Sequence, residues 1–451
     1  MKLIKRLSLF IFTLLLCISL CGCSLNSNNT VTKENNVYEQ AVEEGYTGTL
    51  DEWLLSLIKE SSYKNVYDLA VEEGLFTGTL SEFIESLKGN EGKNDVVDSA
   101  STSLTSTVSI FCNFTVTTTS SRGWPFGGGG TTTSQAKSAG SGVIYETLSD
   151  GTAYIVTNYH VIYYKNADSK ISDDIYIYLY GMEYTGMEIK ADYLGGSMEY
   201  DIAVLKVQSD YLKNDGTYPY HKVTIGDSAS LEVGESVIAV GNPEADGLSV
   251  TNGVVSVQSE NITMYLANET TTTNRRVIRI DAAVNSGNSG GGLYNQDGLL
   301  IGIVNAKTVD EEVEGMCYAI PINVASAIAD KVINTCDGVN TTTIKRVYLG
   351  INTGIASSVA YYDNETGRLS IVQQIGVSSV SLTGESYGIL KENDIFVSAV
   401  YNNETYVINT NYALEDLLLK ASKGDSIELN IIRSGVQQTV SIVFNSDTAI
   451  I

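Results

Sequence analysis

Asn285-Ser286-Gly287-Asn288-Ser289-Gly290-Gly291-Gly292-Leu293 places a serine among glycines, between two apolar runs at 277–284 and 299–304. Such a stretch reads as a tight, exposed turn joining two strands, because glycine lets the backbone bend sharply and lets a second chain come close. In that turn the backbone N–H groups of Gly287 and Ser289 can converge on one point and hold a developing oxyanion. Ser289 Oγ stands beside that point as a nucleophile. A Gly-rich surface loop would carry the same letters, so the reading depends on what lies upstream.

A serine hydroxyl becomes a useful nucleophile when a neighbouring base takes its proton. The chain has only two histidines, His160 and His221. His160 ends the β-rich apolar stretch Ala153-Tyr154-Ile155-Val156-Thr157-Asn158-Tyr159-His160, where a strand hands over to a loop. His221 lies in the polar segment Tyr218-Pro219-Tyr220-His221-Lys222 and reads as structural. The orienting acid reads as Asp201, at the head of Asp201-Ile202-Ala203-Val204-Leu205. That is a poor place for a solvated charge and a good one for a buried carboxylate gripping an imidazole N–H. Asp173, Asp174 and Asp192 are its rivals; most of the 53 acids are surface charge.

The order His160, Asp201, Ser289 and the words around each resemble the HtrA/DegP family of trypsin-fold serine proteases. Ser138-Ala139-Gly140-Ser141-Gly142-Val143-Ile144 before the histidine, Val240-Gly241-Asn242-Pro243 after the acid and Asp281-Ala282-Ala283 before the serine turn add to the likeness. It covers about 100–446 and implies a mainly β chain: a trypsin-like double β-barrel, with the triad at the barrel interface, followed by a PDZ domain. By that resemblance Ser289 is the nucleophile, His160 the base and Asp201 the orienter. The family usually has proline at the positions of Ser286 and Gly292, and losing both is expected to loosen the turn.

At 451 residues the chain suggests two or three domains. A net charge of −25 leaves no basic footprint for nucleic acid. Residues 1–23 read as a targeting segment: Lys2, Lys5 and Arg6 form a positive start and 7–20 an apolar core too short for a comfortable membrane span. The ending Leu20-Cys21-Gly22-Cys23 resembles a bacterial lipoprotein signal, with Cys23 as the lipidated N-terminus. Acyl chains there would anchor the protein to the outer face of the cell membrane. Cys112, Cys317 and Cys336 then remain, an odd set without Cys-x-x-Cys spacing; Cys317 and Cys336 could pair. Neither a metal nor another cofactor is expected.

After a linker at 24–36, the segment at 37–54 returns at 66–83 with the shared core Val-Glu-Glu-Gly in each copy. The repeats at 37–89 read as paired short helices, serving as a spacer or as a docking element. Residues 90–106 read as a polar linker, and 107–337 as the protease. Within it, 117–139 reads as a mobile loop whose Trp124 and Phe126 could pack on a neighbouring subunit, near the active site, or not at all. Val304, Asn305 and Ala306 are expected to line the cleft and offer backbone hydrogen bonds to an extended substrate. The family implies a primary pocket for small or medium apolar side chains.

Residues 345–446 resemble a PDZ domain. Tyr348-Leu349-Gly350-Ile351 matches its carboxylate-binding loop, 412–423 the helix beside the groove, and 356–368 a less family-like loop. A peptide C-terminus would bind there by strand addition. The expectation is a membrane-anchored, extracytoplasmic serine endopeptidase acting on misfolded or specific exported proteins, with trimers implied by the family alone. A catalytically weak chaperone or adaptor, recruiting partners through the PDZ domain and repeats, is the alternative; a repeat-based adhesin is a third reading.

Overall fold

Strand-forming residues at alternating inward positions close into two antiparallel barrels in the computed structural model, which describes residues 71, 95–120, 130–183, 185–306, 316–335, 344–363 and 368–450. The chain divides into two units, 1–93 and 94–451, and the architecture below belongs to the second. The signal segment with Cys23, the repeats apart from residue 71, residues 124–126 and Cys336 lie outside the described residues.

The first barrel is built from β1 (Thr107–Ser120), β2 (Gly130–Thr147), β3 (Thr152–Thr157), β4 (Asp174–Leu179), β5 (Ile189–Ser197) and β6 (Ile202–Gln208), closed in the order β1-β2-β3-β6-β5-β4. Its interior holds Ile110, Ile144, Ile155, Ile177 and Leu205, all fully buried. Each such side chain contributes about 1.5–3 kcal/mol over leaving it exposed. The second barrel comprises β7 (Ser236–Gly241), β8 (Ser249–Tyr265), β9 (Thr272–Ile280), β10 (Gly292–Asn295), β11 (Leu300–Asn305) and β12 (Cys317–Pro321), in the order β10-β11-β12-β9-β8-β7. Both barrels abolish sheet edges by closure.

In and just before the barrels, two stretches differ from their sequence reading. Within the 90–106 linker lies helix α1 (Asp95–Thr105), packed on the second barrel through Val96 and Leu104. Its polar letters hide the helix because several of its hydroxyls bond locally or against the barrel: Thr102 Oγ1 donates to Asp98 O, and Ser99 Oγ to Asn295 O. The expected mobile loop at 117–139 is mostly ladder, with β1 and β2 paired from Thr107↔Val143 to Ser120↔Gly130. Threonine's β-branched side chain suits a pleated strand, and here that outweighs the Ser/Thr/Gly composition.

Helix α2 (Ile322–Thr335) follows β12 and buries Val324, Ile328 and Val332, the stripe visible in the sequence. The chain then enters a β-rich module. A small pair, β13 (Lys345–Arg346) with β20 (Thr448–Ala449), ties its two ends. Its main sheet joins β14 (Ile351–Asp363), β15 (Arg368–Val380), β16 (Ile395–Tyr401), β18 (Ser426–Arg433) and β19 (Val436–Val443); β17 (Glu404–Val407) pairs with β16. Helix α3 (Ala413–Lys420) covers this sheet through Leu414 and Leu417. The segment read as a loop from Ala356 to Arg368 is instead an extension of the β14–β15 hairpin, with Val359 facing Val372 and Tyr361 facing Ser370. Only 364–367 fall outside the described residues.

Candidate active site

The turn at Ser289 lies between β9 and β10 and is tied from three directions. Ser141 N–H donates to Ser289 O at 2.8 Å, and Ser141 Oγ to Gly287 O at 2.8 Å. Ser141 Oγ also accepts from Asn242 N–H, while Thr157 Oγ1 donates to Ser141 O. Ser141 thus joins the serine turn to the Val240–Pro243 words through its side chain and to the strand leading to His160 through its carbonyl. Gly290 N–H donates to Val304 O and Val304 N–H to Gly291 O, fastening the turn to β11.

Two glycines here are needed for their backbone. Gly287 has φ +99°, and a Cβ on it would fall 2.1 Å from Asn242 O. Gly290 has φ +85° with Ser141 O 2.2 Å from the same point. Ser286 O accepts from Glu244 N–H at 2.9 Å. Because the peptide is planar and trans, the Gly287 N–H points the opposite way, away from the Glu244 loop. Among the described residues the N–H groups of Gly287 and Ser289 donate to no protein acceptor. Those are the two donors expected to hold an oxyanion.

The expectation that Ser286 and Gly292 loosen the turn meets a specific compensation. A Cβ on Gly292 would fall 2.3 Å from the Tyr294 ring. Tyr294 is fully buried, and its hydroxyl shares a 2.9 Å hydrogen bond with Thr107 Oγ1. Gly292 therefore makes room for the tyrosine, and Ser286 keeps a carbonyl bond that proline would also supply.

His160 sits in the short 3-10 turn Tyr159–Val161 after β3. Its Nδ1 donates to Asp201 Oδ2 at 2.8 Å, and its backbone N–H to Asp201 Oδ1 at 3.0 Å. A carboxylate can only accept, so this contact fixes the proton on Nδ1 and leaves Nε2 as the base. Asp201 is buried and has φ +57°, an uncommon backbone for aspartate. Its carbonyl is gripped by Asn158 Nδ2 and by Tyr159 N–H, which hold that conformation. Burial pushes the Asp201 carboxyl up, but the neighbouring His160 and Arg275 charges and the N–H donors outweigh it and hold it below the usual carboxylate value. Of the rivals, Asp174 accepts from Asn113 Nδ2 at 2.9 Å. His221 bonds Thr105 and Ser106 at the end of α1.

Ser289 Oγ accepts from Ala306 N–H at 3.1 Å, and among the described residues no hydrogen bond joins it to His160. The residues at 304–306, expected to line the cleft and offer backbone hydrogen bonds to a substrate, also make contacts within the chain. Val304 spends both backbone groups on the serine turn, Ala306 meets Ser289, and Asn305 points its amide inward to Asp201 Oδ2 at 3.0 Å.

Two residues escaped sequence reading. Ser141 gave no polar signal beyond a Gly-Ser-Gly word. Arg275 lies on β9 with the inward parity of Val277 and is 4% exposed. Its guanidinium donates to Glu199 O and Met198 O and lies 3.7 Å from Asp201 Oδ2. A charged residue on the inward parity of a strand was the available clue. Cys112 is buried in the first barrel, its thiol pushed up to about 12 by burial and then by Asp174. Among the described residues no group of three or more His, Cys, Asp or Glu side chains could hold a metal ion.

The Tyr348-Leu349-Gly350-Ile351 segment lines a cavity of about 630 Å³ between the β-rich module and the second barrel. Ile351 from β14 and Leu414 and Leu418 from α3 form one side, and Arg276 and Tyr200 from the barrels the other. Gly350 has φ +72°, and a Cβ there would meet Gly384 at 2.3 Å. Arg346 pairs with Glu199 at 3.2 Å and also bonds the Tyr200 and Tyr348 hydroxyls.

A family model, trypsin-like peptidase domain, matches residues 140–303. The Serine protease Do-like HtrA of Lactococcus lactis subsp. lactis (strain IL1403) is 34% identical over 70% of this chain and 72% of its own. Serine protease Do-like HtrA of Bacillus subtilis (strain 168) is 33% identical over 67% of this chain, which spans 63% of that protein's length. A probable periplasmic serine endoprotease, DegP-like, of Halomonas elongata is 31% identical over 68% of this chain and 56% of its own. With a histidine held by a buried aspartate and a glycine-bound serine turn between the same barrels, the chain belongs to the HtrA/DegP family of trypsin-like serine endopeptidases.

Proposed function

We propose that this chain is an extracytoplasmic serine endopeptidase in which Ser289, His160 and Asp201 form the triad. The observation that carries this is the Asp201–His160 couple at 2.8 Å, set beside a turn whose Gly287 and Ser289 N–H groups have no protein acceptor among the described residues. Ser289 Oγ leaves Ala306 N–H, turns onto His160 Nε2 and gives up its proton as it attacks a peptide carbonyl. The two N–H groups receive the oxyanion. His160 then passes its proton to the leaving amine, and the acyl-enzyme is hydrolysed by a water that His160 activates. Asp201 stays ionised throughout, stabilising the imidazolium.

Substrates are misfolded or specific exported proteins, entering as extended segments. The groove bounded by Tyr348, Leu349, Gly350 and Ile351 binds peptide C-termini by strand addition along β14, as in a PDZ domain. The chain is exported and held at the outer face of the membrane through lipid on Cys23, with trimers as a further expectation.

A second reading is a catalytically weak chaperone or adaptor, favoured by one observation: Ser289 Oγ is engaged with Ala306 and not with His160. Degradation of casein by the purified chain beside Ser289→Ala separates the two. Loss of the serine should cut the rate by roughly a millionfold. If neither protein cleaves casein, with or without C-terminal peptides, the adaptor reading replaces the protease.

A further inference from the structure

We infer that Arg275 is a positioning residue for the triad: its buried charge holds Asp201 ionised and sets how strongly Asp201 favours a protonated His160. This rests on the triad reading above.

The guanidinium is fixed from several sides. Nε and Nη2 donate to Glu199 O at 3.1 and 2.8 Å, Nη2 also to Met198 O at 3.3 Å, and Nη1 faces Met264 Sδ at 3.6 Å. Those carbonyls belong to the turn between β5 and β6 that delivers Asp201 in its φ +57° conformation. Arg275 therefore braces from β9 the very turn that carries the acid in the other barrel.

Its second action is through charge. Nη1 lies 3.7 Å from Asp201 Oδ2, too far for a hydrogen bond but close for an ion pair, with both side chains below 5% exposed. In so dry a setting screening by salt is weak, and opposite charges favour each other's ionised forms. Asp201 Oδ2 already receives His160 Nδ1 and Asn305 Nδ2, so Arg275 is the fixed positive charge in this cluster. A permanent cation there keeps Asp201 charged without spending a hydrogen-bond site needed by the imidazole. It is also a positive charge close to the couple, and it repels the positive charge that His160 acquires on taking the serine proton. The other charged group facing Arg275 is Glu199, whose carboxylate is turned to Arg346 at 3.2 Å. From other elements the neutral Asn305 and Asn158 amides reach Asp201.

The test is the pH profile of kcat/KM on a fluorogenic peptide for the full chain, Arg275→Lys, Arg275→Met and Ser289→Ala. Ser289-dependent cleavage by the parent, with an acid limb, must come first; its absence sinks the triad reading and not this inference alone. The acid limb of R275M should then move up by about one pH unit, while R275K stays within a few tenths of the parent. A residue that only braces the turn would lower kcat in R275M and leave the limb where it was, and that result overturns the proposal. Should R275M lack a native unfolding transition, Arg275→Gln keeps a donor for the Glu199 carbonyl without the charge and carries the same expectation. Equal limbs in R275Q and the parent would be decisive against it.

Discussion

Asn305 Nδ2 donates to Asp201 Oδ2 at 3.0 Å, so the oxygen that receives His160 Nδ1–H is shared with a side chain from the second barrel. The aspartate is thereby fixed from both barrels at once: by the backbone after β3 in the first, and by the end of β11 in the second. Asn305→Leu removes the donor and leaves a buried carboxylate oxygen with one partner fewer. A lost hydrogen bond to a charged group is worth about 1.5–3 kcal/mol, so kcat/KM should fall by about ten- to a hundredfold with the fold intact. Steady-state kinetics beside a melting curve check this; unchanged kcat/KM would mean that Asn305 merely fills space.

That contact also shows what was legible in the chain. The Asp201–His160 couple could be read because its chemistry restricts residue type, and because the chain has only two histidines. Asn305 reads in sequence as a cleft residue, and its side-chain bond to Asp201 was not legible, since a polar residue at a strand end looks alike whether it faces substrate or a carboxylate. Strands were legible from β-branched alternation, and the barrels that they close into from the family resemblance. The hidden helix α1 was not, because Ser99, Thr102 and Ser106 solve their hydrogen bonding through the helix or the barrel and so mimic a linker. Arg275 and Arg276 look interchangeable in sequence. Strand parity sends one toward Asp201 and the other toward Asp416, and parity is set by the ladder.

Gly292 and Tyr294 form a matched pair. Gly292→Ala places a methyl 2.3 Å from a ring that is fully buried and anchored to Thr107, so the ring or strand β10 must shift. Overpacking of this kind costs about 1–3 kcal/mol. Combining it with Tyr294→Leu removes the obstacle, so the double variant should be more stable than the sum of the single losses. A urea-unfolding double-mutant cycle measures the coupling. Strict additivity would show that Gly292 does not serve the tyrosine.

Arg276 and Asp416 join β9 to α3 through contacts of 2.6 and 2.7 Å, with Arg276 stacked 4.2 Å from the Tyr412 ring centre. Both side chains are about nine-tenths buried. Asp416→Ala leaves the guanidinium buried without its carboxylate, which costs about 3–5 kcal/mol, whereas Arg276→Met with Asp416→Leu should recover most of it. The readout is the guanidinium midpoint of the two single variants and the double. A double variant no better than D416A would show that the pair itself, and not the burial of a lone charge, governs the contact.

Asp394 gives a pH dependence of definite sign. Burial pushes its carboxyl up, but hydrogen bonds from Arg433 at 2.6 and 2.7 Å and from Lys391 N–H at 2.8 Å outweigh that and hold it below the ordinary carboxylate value. The folded state therefore binds a proton less readily than the unfolded chain. Its contribution is present above the unfolded value, about 3.9, and is lost as pH falls through the depressed folded value. Urea unfolding of the parent and Asp394→Asn should differ most near neutrality, with the gap closing as pH drops below about 4. If the gap stayed constant across that range, the Asp394 carboxyl would have to carry the same proton in both states, and the Arg433 bridge would not be what holds its charge.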